Sequence, residues 1–173
     1  MARAYVGVGS NIEPERNVRE ALRRLRERVM VTGVSTFYRT KALGRPEQGD
    51  FINAVVEVET ELAPGRLKRE VLEAIEGELG RVRTEDRHAP RTIDLDLIVY
   101  GEGEIEEEGL RLPDPEIAKR AFLAVPLAEL APEMRLPEDD RTVGEIAAEL
   151  GGAGLEALES YTEAIRKGSD DEP

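Results

Sequence analysis

The chain has 173 residues, 40% of them hydrophobic, no cysteine, and a formal charge of −13 at pH 7. That length makes one domain with a real core, and the lack of cysteine excludes disulfides and thiolate metal sites. The acidity argues against a nucleic-acid partner, and with no apolar run of about 18 residues a membrane span is excluded.

The N-terminal stretch from Met1 to Ser10 lacks the apolar core of a signal peptide and enters glycine-rich structure at once. A cytoplasmic monomer is expected. Ala4 to Ser10 predicts a strand, with Ala4, Val6 and Val8 on one face and Tyr5, Gly7 and Gly9 on the other. The two glycines leave that second face bare, which suits either close packing or the approach of a flat ligand. Pro14 opens a helix whose inward stripe is Val18, Ala21, Leu22, Leu25 and Val29. Residues 31–40 are β-prone, residues 41–50 form a loop around Gly44, Pro46 and Gly49, and Phe51 to Thr60 is a strand. Asn53 heads that strand beside Phe51, as a turn-capping amide or as a reader of a polar heterocycle.

A second amphipathic helix runs from Pro64 to Leu79, with Leu67, Val71, Ala74, Ile75 and Leu79 inward and Gly80 as its C-terminal cap. Glu73 and Glu76 lie near its end, as solvated charge or facing the loop that follows. Residues 101–109 predict a solvated acidic hairpin tip. Helical segments follow around Phe122, from Thr142 to Leu150, and from Leu155 to Lys167, the last with Leu155, Leu158, Tyr161 and Ile165 on one side. The order β-α-β-β-α-β followed by helices predicts an α+β ferredoxin-like sandwich. In it an antiparallel sheet carries helices on one face, C-terminal helices are added, and the other face is left open for a ligand. Residues 1–167 are expected to form the single domain and residues 168–173 a disordered tail.

The stretch from Arg81 to Tyr100 carries the strongest chemical signal. Its first half is a loop with Arg81, Arg83, Arg87 and Arg91 against only Glu85 and Asp86, in a chain that is otherwise strongly acidic. Its second half alternates: Ile93, Leu95, Leu97 and Val99 point one way, and Thr92, Asp94, Asp96, Ile98 and Tyr100 the other. Asp94 and Asp96 thus share a face, roughly 6.5–7 Å apart along the strand. Such a pair is either a solvated face or a platform for hard cations. A polycationic loop beside it favours phosphate chemistry, which uses a divalent ion on the oxygens and guanidinium groups for the remaining charge. Mutual repulsion among the arginines predicts that residues 82–90 are mobile without an anion and become ordered when one binds.

These pieces resemble a known family. Val8-Gly9-Ser10-Asn11, Phe37-Tyr38-Arg39-Thr40 with Leu43-Gly44, and Asp50-Phe51-Ile52-Asn53-Ala54-Val55 fall in its order. So do Gly80-Arg81-Val82-Arg83, Pro90-Arg91-Thr92-Ile93-Asp94-Leu95-Asp96, and Arg120-Ala121-Phe122 with Pro126-Leu127. The chain is similar to the 6-hydroxymethyl-7,8-dihydropterin pyrophosphokinases of folate biosynthesis over residues 4–135. The resemblance implies an ATP-dependent transferase that gives the β,γ-pyrophosphate of ATP to the pterin hydroxymethyl oxygen and releases AMP. Asp94 and Asp96 would hold two Mg²⁺ ions. Arg81, Arg83 and Arg91 would act in transfer from the closing loop. Phe51 and Phe122 would sandwich the pterin, Asn53 would bond its polar edge, and Thr40, Ala42 and Leu43 would complete the pocket. Glu73, Glu76, Arg83, Arg91, Leu97, Arg111, Asp114 and Arg120 would serve ATP.

Three positions depart from the family pattern. His88-Ala89 replaces a Trp-Gly, Asp114 replaces a histidine next to the phosphates, and Leu110 stands where some members carry arginine, with Arg111 beside it. Two other functional readings follow from the same residues: a pterin- or nucleotide-binding relative without turnover, and a two-metal phosphohydrolase on the same fold. Intact Asp94, Asp96, Arg81 and Arg91 favour the enzyme over the first. The set Phe51, Asn53 and Phe122 favours it over the second, since a hydrolase needs no heterocycle clamp.

Overall fold

Strand β1, Ala2–Ser10, is the axis of the sheet: it is hydrogen-bonded antiparallel to β4, Phe51–Thr60, on one side and to β5, Asp94–Tyr100, on the other. The computed structural model describes residues 1–41, 49–80, 92–107 and 109–168. Along the far edge of β4 lie two short strands in line, β2 (Met30–Val34) beside its C-terminal half and β3 (Tyr38–Thr40) beside its N-terminal half. The sheet order is β5-β1-β4-β3-β8, where β8 is Glu156–Ala157. A separate hairpin, β6 (Ile105–Glu107) with β7 (Leu110–Leu112), takes up the acidic segment read as a loop tip. Leu110 and Leu112 are buried there, while Glu106 and Glu107 face solvent.

The first face of the sheet carries the larger core. Ala4, Val6 and Val8 of β1 and Ile52, Ala54, Val56 and Val58 of β4 pack against α1, Pro14–Arg28. The second helical segment adds Leu67, Leu72 and Ile75, and α6, Glu159–Lys167, adds Tyr161 and Ile165. The segment that the sequence predicts as one α-helix is α2 (Pro64–Arg66), a π-wound stretch (Leu67–Leu72) and α3 (Glu73–Glu78). The wider π turn shifts the phase of the inward stripe. Leu72 and Glu76 are therefore buried, whereas Ala74 and Leu79, expected inside, are only half-buried. Gly80 takes φ +81°, consistent with the expected cap.

The second face is partly covered. Helix α4, Ala121–Leu130, and helix α5, Val143–Leu150, pack with the 3₁₀ turn Pro115–Ala118 on Tyr5, Val55, Ile98 and Val99. The expected open face is thus open only at the end holding Gly7, Gly9 and Asn53. A bulge in β5 also alters the expected alternation. Tyr5 pairs with Val99 and Val6 with Leu97, so Ile98 is an extra residue. The insertion moves Val99 to the second face and Tyr100 to the first, where its hydroxyl donates to Leu62 O at 2.6 Å. Asp94 and Asp96 precede the bulge and keep their common face. The predicted helix from Leu155 begins instead at Glu159, because residues 156–157 pair with Tyr38 and Arg39 as β8.

Candidate active site

The floor of the site follows from strand register. Gly9 of β1 stands opposite Asn53 of β4 on one side and Asp94 of β5 on the other; Gly7 stands between Val55 and Asp96. The amide and the carboxylates therefore share one face, separated across β1 by glycine alone. Two inter-strand spacings set Asn53 and Asp94 about 10 Å apart. The gap must remain bare: a Cβ on Gly9 would lie 2.8 Å from Asn53 Oδ1. Ser10 ties the end of β1 to the strand that carries the acids, its hydroxyl donating to Thr92 O at 2.5 Å.

Above this floor lies a cavity of about 600 Å³, the size of a small-molecule site. Its walls include Thr40, Phe51, Asn53, Asp94, Asp96, Asp114, Arg120 and Phe122. Thr40 and Phe51 are paired across β3 and β4, and the Asn53 amide donates to Thr40 Oγ1 at 2.7 Å. That bond aims the Asn53 side chain. Phe122 enters from the first turn of α4, so the two aromatic rings come from the sheet and from the helix laid over it. Arg120 stands at the N-cap position of α4, and its Nε donates to Glu116 Oε2 at 3.1 Å. The Asp114 carboxylate accepts the Glu116 backbone N–H at 2.9 Å and so caps the 3₁₀ turn. This local role accounts for an aspartate at that position.

Not every expected residue meets the cavity. Leu97 is 7% exposed, and its side chain lies in the first core rather than on the cavity wall. Glu73 is half-buried on α3 and Arg111 is exposed on β7, opposite Glu106; neither lines the cavity. Glu76 is 2% exposed, which excludes solvated charge, and its carboxylate accepts the Leu95 N–H at 2.9 Å. It braces the strand between Asp94 and Asp96 rather than lining the cavity. Ala42, Leu43, Arg81, Arg83, Arg91 and the expected closing loop of residues 82–90 lie outside the described residues.

Sequence reasoning missed Lys41, Glu116, Lys119 and residues 153–155, all of which line the cavity. Lys119 carried a usable signal, a second cation beside Arg120 in an acidic chain. Residues 153–155 carried none beyond their glycines. The donor set suits Mg²⁺. Among the described residues no cluster of three or more His, Asp or Glu is present. The site instead offers two carboxylates on adjacent same-face positions beside an open cavity, as Mg²⁺ held partly by substrate phosphates requires. Elsewhere on this face, burial and a hydrogen bond to Glu57 at 2.8 Å push the Tyr5 phenol up to about 12.

The comparisons with known proteins agree with this arrangement. The family model described as 7,8-dihydro-6-hydroxymethylpterin-pyrophosphokinase matches residues 5–132. The chain is 42% identical over 160 residues to a Pseudomonas aeruginosa protein named 2-amino-4-hydroxy-6-hydroxymethyldihydropteridine pyrophosphokinase, covering 90% of this chain and 96% of that one. A protein of the same name from Bacillus subtilis is 41% identical over 134 residues, 76% of this chain and 79% of its own. Among solved structures, the wild-type HPPK-DHPS of Plasmodium falciparum superposes with a TM-score of 0.66 at 12% identity. That match covers 91% of this chain but 47% of the longer one, and it bears on fold alone. The chain belongs to the 7,8-dihydro-6-hydroxymethylpterin-pyrophosphokinase family.

Proposed function

We propose that this chain is the pyrophosphokinase of folate biosynthesis, moving the β,γ-pyrophosphate of ATP to 6-hydroxymethyl-7,8-dihydropterin. The observation that carries the reading is the row Asn53–Gly9–Asp94, which spaces a heterocycle-reading amide from a cation-binding carboxylate across a bare floor. A pterin ring at Asn53, with its hydroxymethyl arm over the glycines, points that arm toward the carboxylates. Phe51 and Phe122 stack on the ring, and Thr40 holds Asn53 in its reading orientation. The hydroxymethyl oxygen forms a bond to the β-phosphorus, the bond from that phosphorus to the oxygen retained by the α-phosphate breaks, and AMP leaves. The hydroxyl proton passes to solvent.

Catalysis of this type is mostly positioning and charge neutralisation. Asp94 and Asp96 are the residues to hold Mg²⁺, two ions in our reading. When bound there, Mg²⁺ supplies neutralisation of the triphosphate and polarisation of the attacked phosphoryl group. Arg120 and Lys119 add positive charge on the same wall. Arg81, Arg83 and Arg91 are assigned to the triphosphate by their place in the family motif, and Leu97 is assigned a backbone role at the nucleotide. We take residues 1–167 to work as one cytoplasmic, monomeric unit.

The test is AMP release from ATP and Mg²⁺ with and without 6-hydroxymethyl-7,8-dihydropterin. Release that depends on the pterin, matched one for one by pterin diphosphate, is expected. ADP or inorganic phosphate formed at the same rate without pterin would replace this reading with hydrolysis.

A further inference from the structure

The stretch that the family model matches does not line the cavity alone. Residues beyond 132 lie outside that match, yet Ala153, Gly154 and Leu155 line the cavity. Topology explains how they arrive. Helix α5 packs on the second face and α6 on the first, where Arg26 of α1 donates to Ile165 O at 2.9 Å. The chain between them must pass from one face to the other, and it does so around the side of β3 away from β4, where it pairs as β8.

Register then sets the direction of Leu155. Ala157 pairs with Tyr38 and Glu156 with Arg39. One further antiparallel step puts Leu155 abreast of Thr40, whose own partner on β4 is Phe51. Cross-strand neighbours share a face. Tyr38 faces the cavity side, its hydroxyl donating to Glu129 of α4 at 3.0 Å. Arg39 and Glu156 point to the opposite side, 3.7 Å apart, with Arg39 also 3.5 Å from Glu15 of α1. Alternation therefore returns Leu155 to the face of Thr40 and Phe51, where it is half-buried.

The segment after Leu155 is well anchored. Leu158 N–H donates to Phe37 O at 2.8 Å, and Phe37 N–H donates to Thr162 Oγ1 at 2.9 Å. The Phe37 and Tyr161 rings meet edge to face at 5.4 Å, and Tyr161 donates to Glu15 O at 2.7 Å. The segment before it, Gly151-Gly152-Ala153-Gly154, offers little side chain. Leu155 is thus the first large apolar group on this wall that the fold holds in place.

We propose that Leu155 is a specificity-determining residue, forming an apolar side wall for the heterocycle beside Phe51 and Thr40. The inference rests on the pyrophosphokinase reading above. It is tested with Leu155→Ala and Leu155→Met, by fluorescence titration of the pterin and by KM and kcat from AMP release, with melting curves alongside. Leu155→Ala is expected to weaken pterin binding and raise the pterin KM about tenfold, the low end for apolar groups lost from a pocket. The KM for ATP and kcat should stay within about twofold, and Leu155→Met should recover most of the loss. Unchanged pterin affinity in Leu155→Ala, an equal rise in both KM values, or a loss that tracks a fall in Tm without rescue by Met would each overturn the assignment. A wild-type protein that neither binds the pterin nor releases AMP would overturn the functional reading with it. An active wild type with an indifferent Leu155→Ala would overturn this inference alone.

Discussion

Gly9 has the least freedom of any residue on the cavity floor. Its Cβ position is 2.8 Å from Asn53 Oδ1, too close for any side chain without displacing that amide. Gly9→Ala should therefore cost about 1–3 kcal/mol of stability, the usual range for overpacking, and weaken pterin binding while leaving ATP binding near normal. Urea melts and separate titrations of the two ligands check this; equal effects on both would show that Asn53 does not read the pterin. Tyr5 makes a different prediction, about pH. Burial comes first among its causes and the hydrogen bond to Glu57 second, and the phenol is held up to about 12 from an ordinary 10.0. The folded state keeps this proton where the unfolded chain releases it. The resulting stability is present below pH 10 and lost as pH rises through 10 toward about 12. Tyr5→Phe removes the titrating group, so its alkaline decline should be shallower than that of the wild type. Urea midpoints across that interval decide the matter, and superimposable profiles would refute the assignment.

Among the elements, the π-wound stretch Leu67–Leu72 has the largest functional consequence. A regular α-helix with the expected stripe would leave Glu76 beside the inward face rather than in it. The π turn brings Glu76 against β5, where its carboxylate accepts the Leu95 N–H between the two aspartates. The brace is needed because β5 is an edge strand, and a buried edge N–H without a partner is costly. Glu76→Ala is predicted to destabilise the fold by about 2–4 kcal/mol through that orphaned donor and the cavity left behind. Glu76→Gln, which keeps an acceptor oxygen, should lose clearly less. The measurement is chemical denaturation of both variants, with turnover recorded at a temperature where each is folded. An alanine variant as stable as the wild type would show that the brace contributes nothing.

At the scale of the whole molecule, the two faces of the sheet divide the work: the first holds most of the core, and the second carries the site and a smaller core under α4 and α5. Changes confined to the site should then separate function from stability. Asp94→Asn and Asp96→Asn are expected to lower turnover by about a hundredfold or more, on the scale of lost electrostatic stabilisation, with melting temperature nearly unchanged. Phe122→Ala should weaken pterin binding by about 1–3 kcal/mol, the range for aromatic stacking, with little change for ATP. Near wild-type turnover in both aspartate variants would remove the metal platform. Much of this molecule was legible from local pattern. The β-α-β-β-α-β order, the bounds of β4, the bare glycine face and the common face of Asp94 and Asp96 all follow from periods of two and 3.6 residues, which neighbouring residues set by themselves. The bulge at Ile98, the π turn that buries Glu76, the partly covered second face and the pairing of residues 156–157 with β3 do not. Each depends on a partner distant in sequence: β1 for the bulge, β5 for Glu76, α4 and α5 for the covered face, and β3 for the pairing that turns Leu155 toward the cavity. Local propensity determined the main strands and helices; long-range packing added β8 and decided the phase of the others, and with it which of their side chains reach the site.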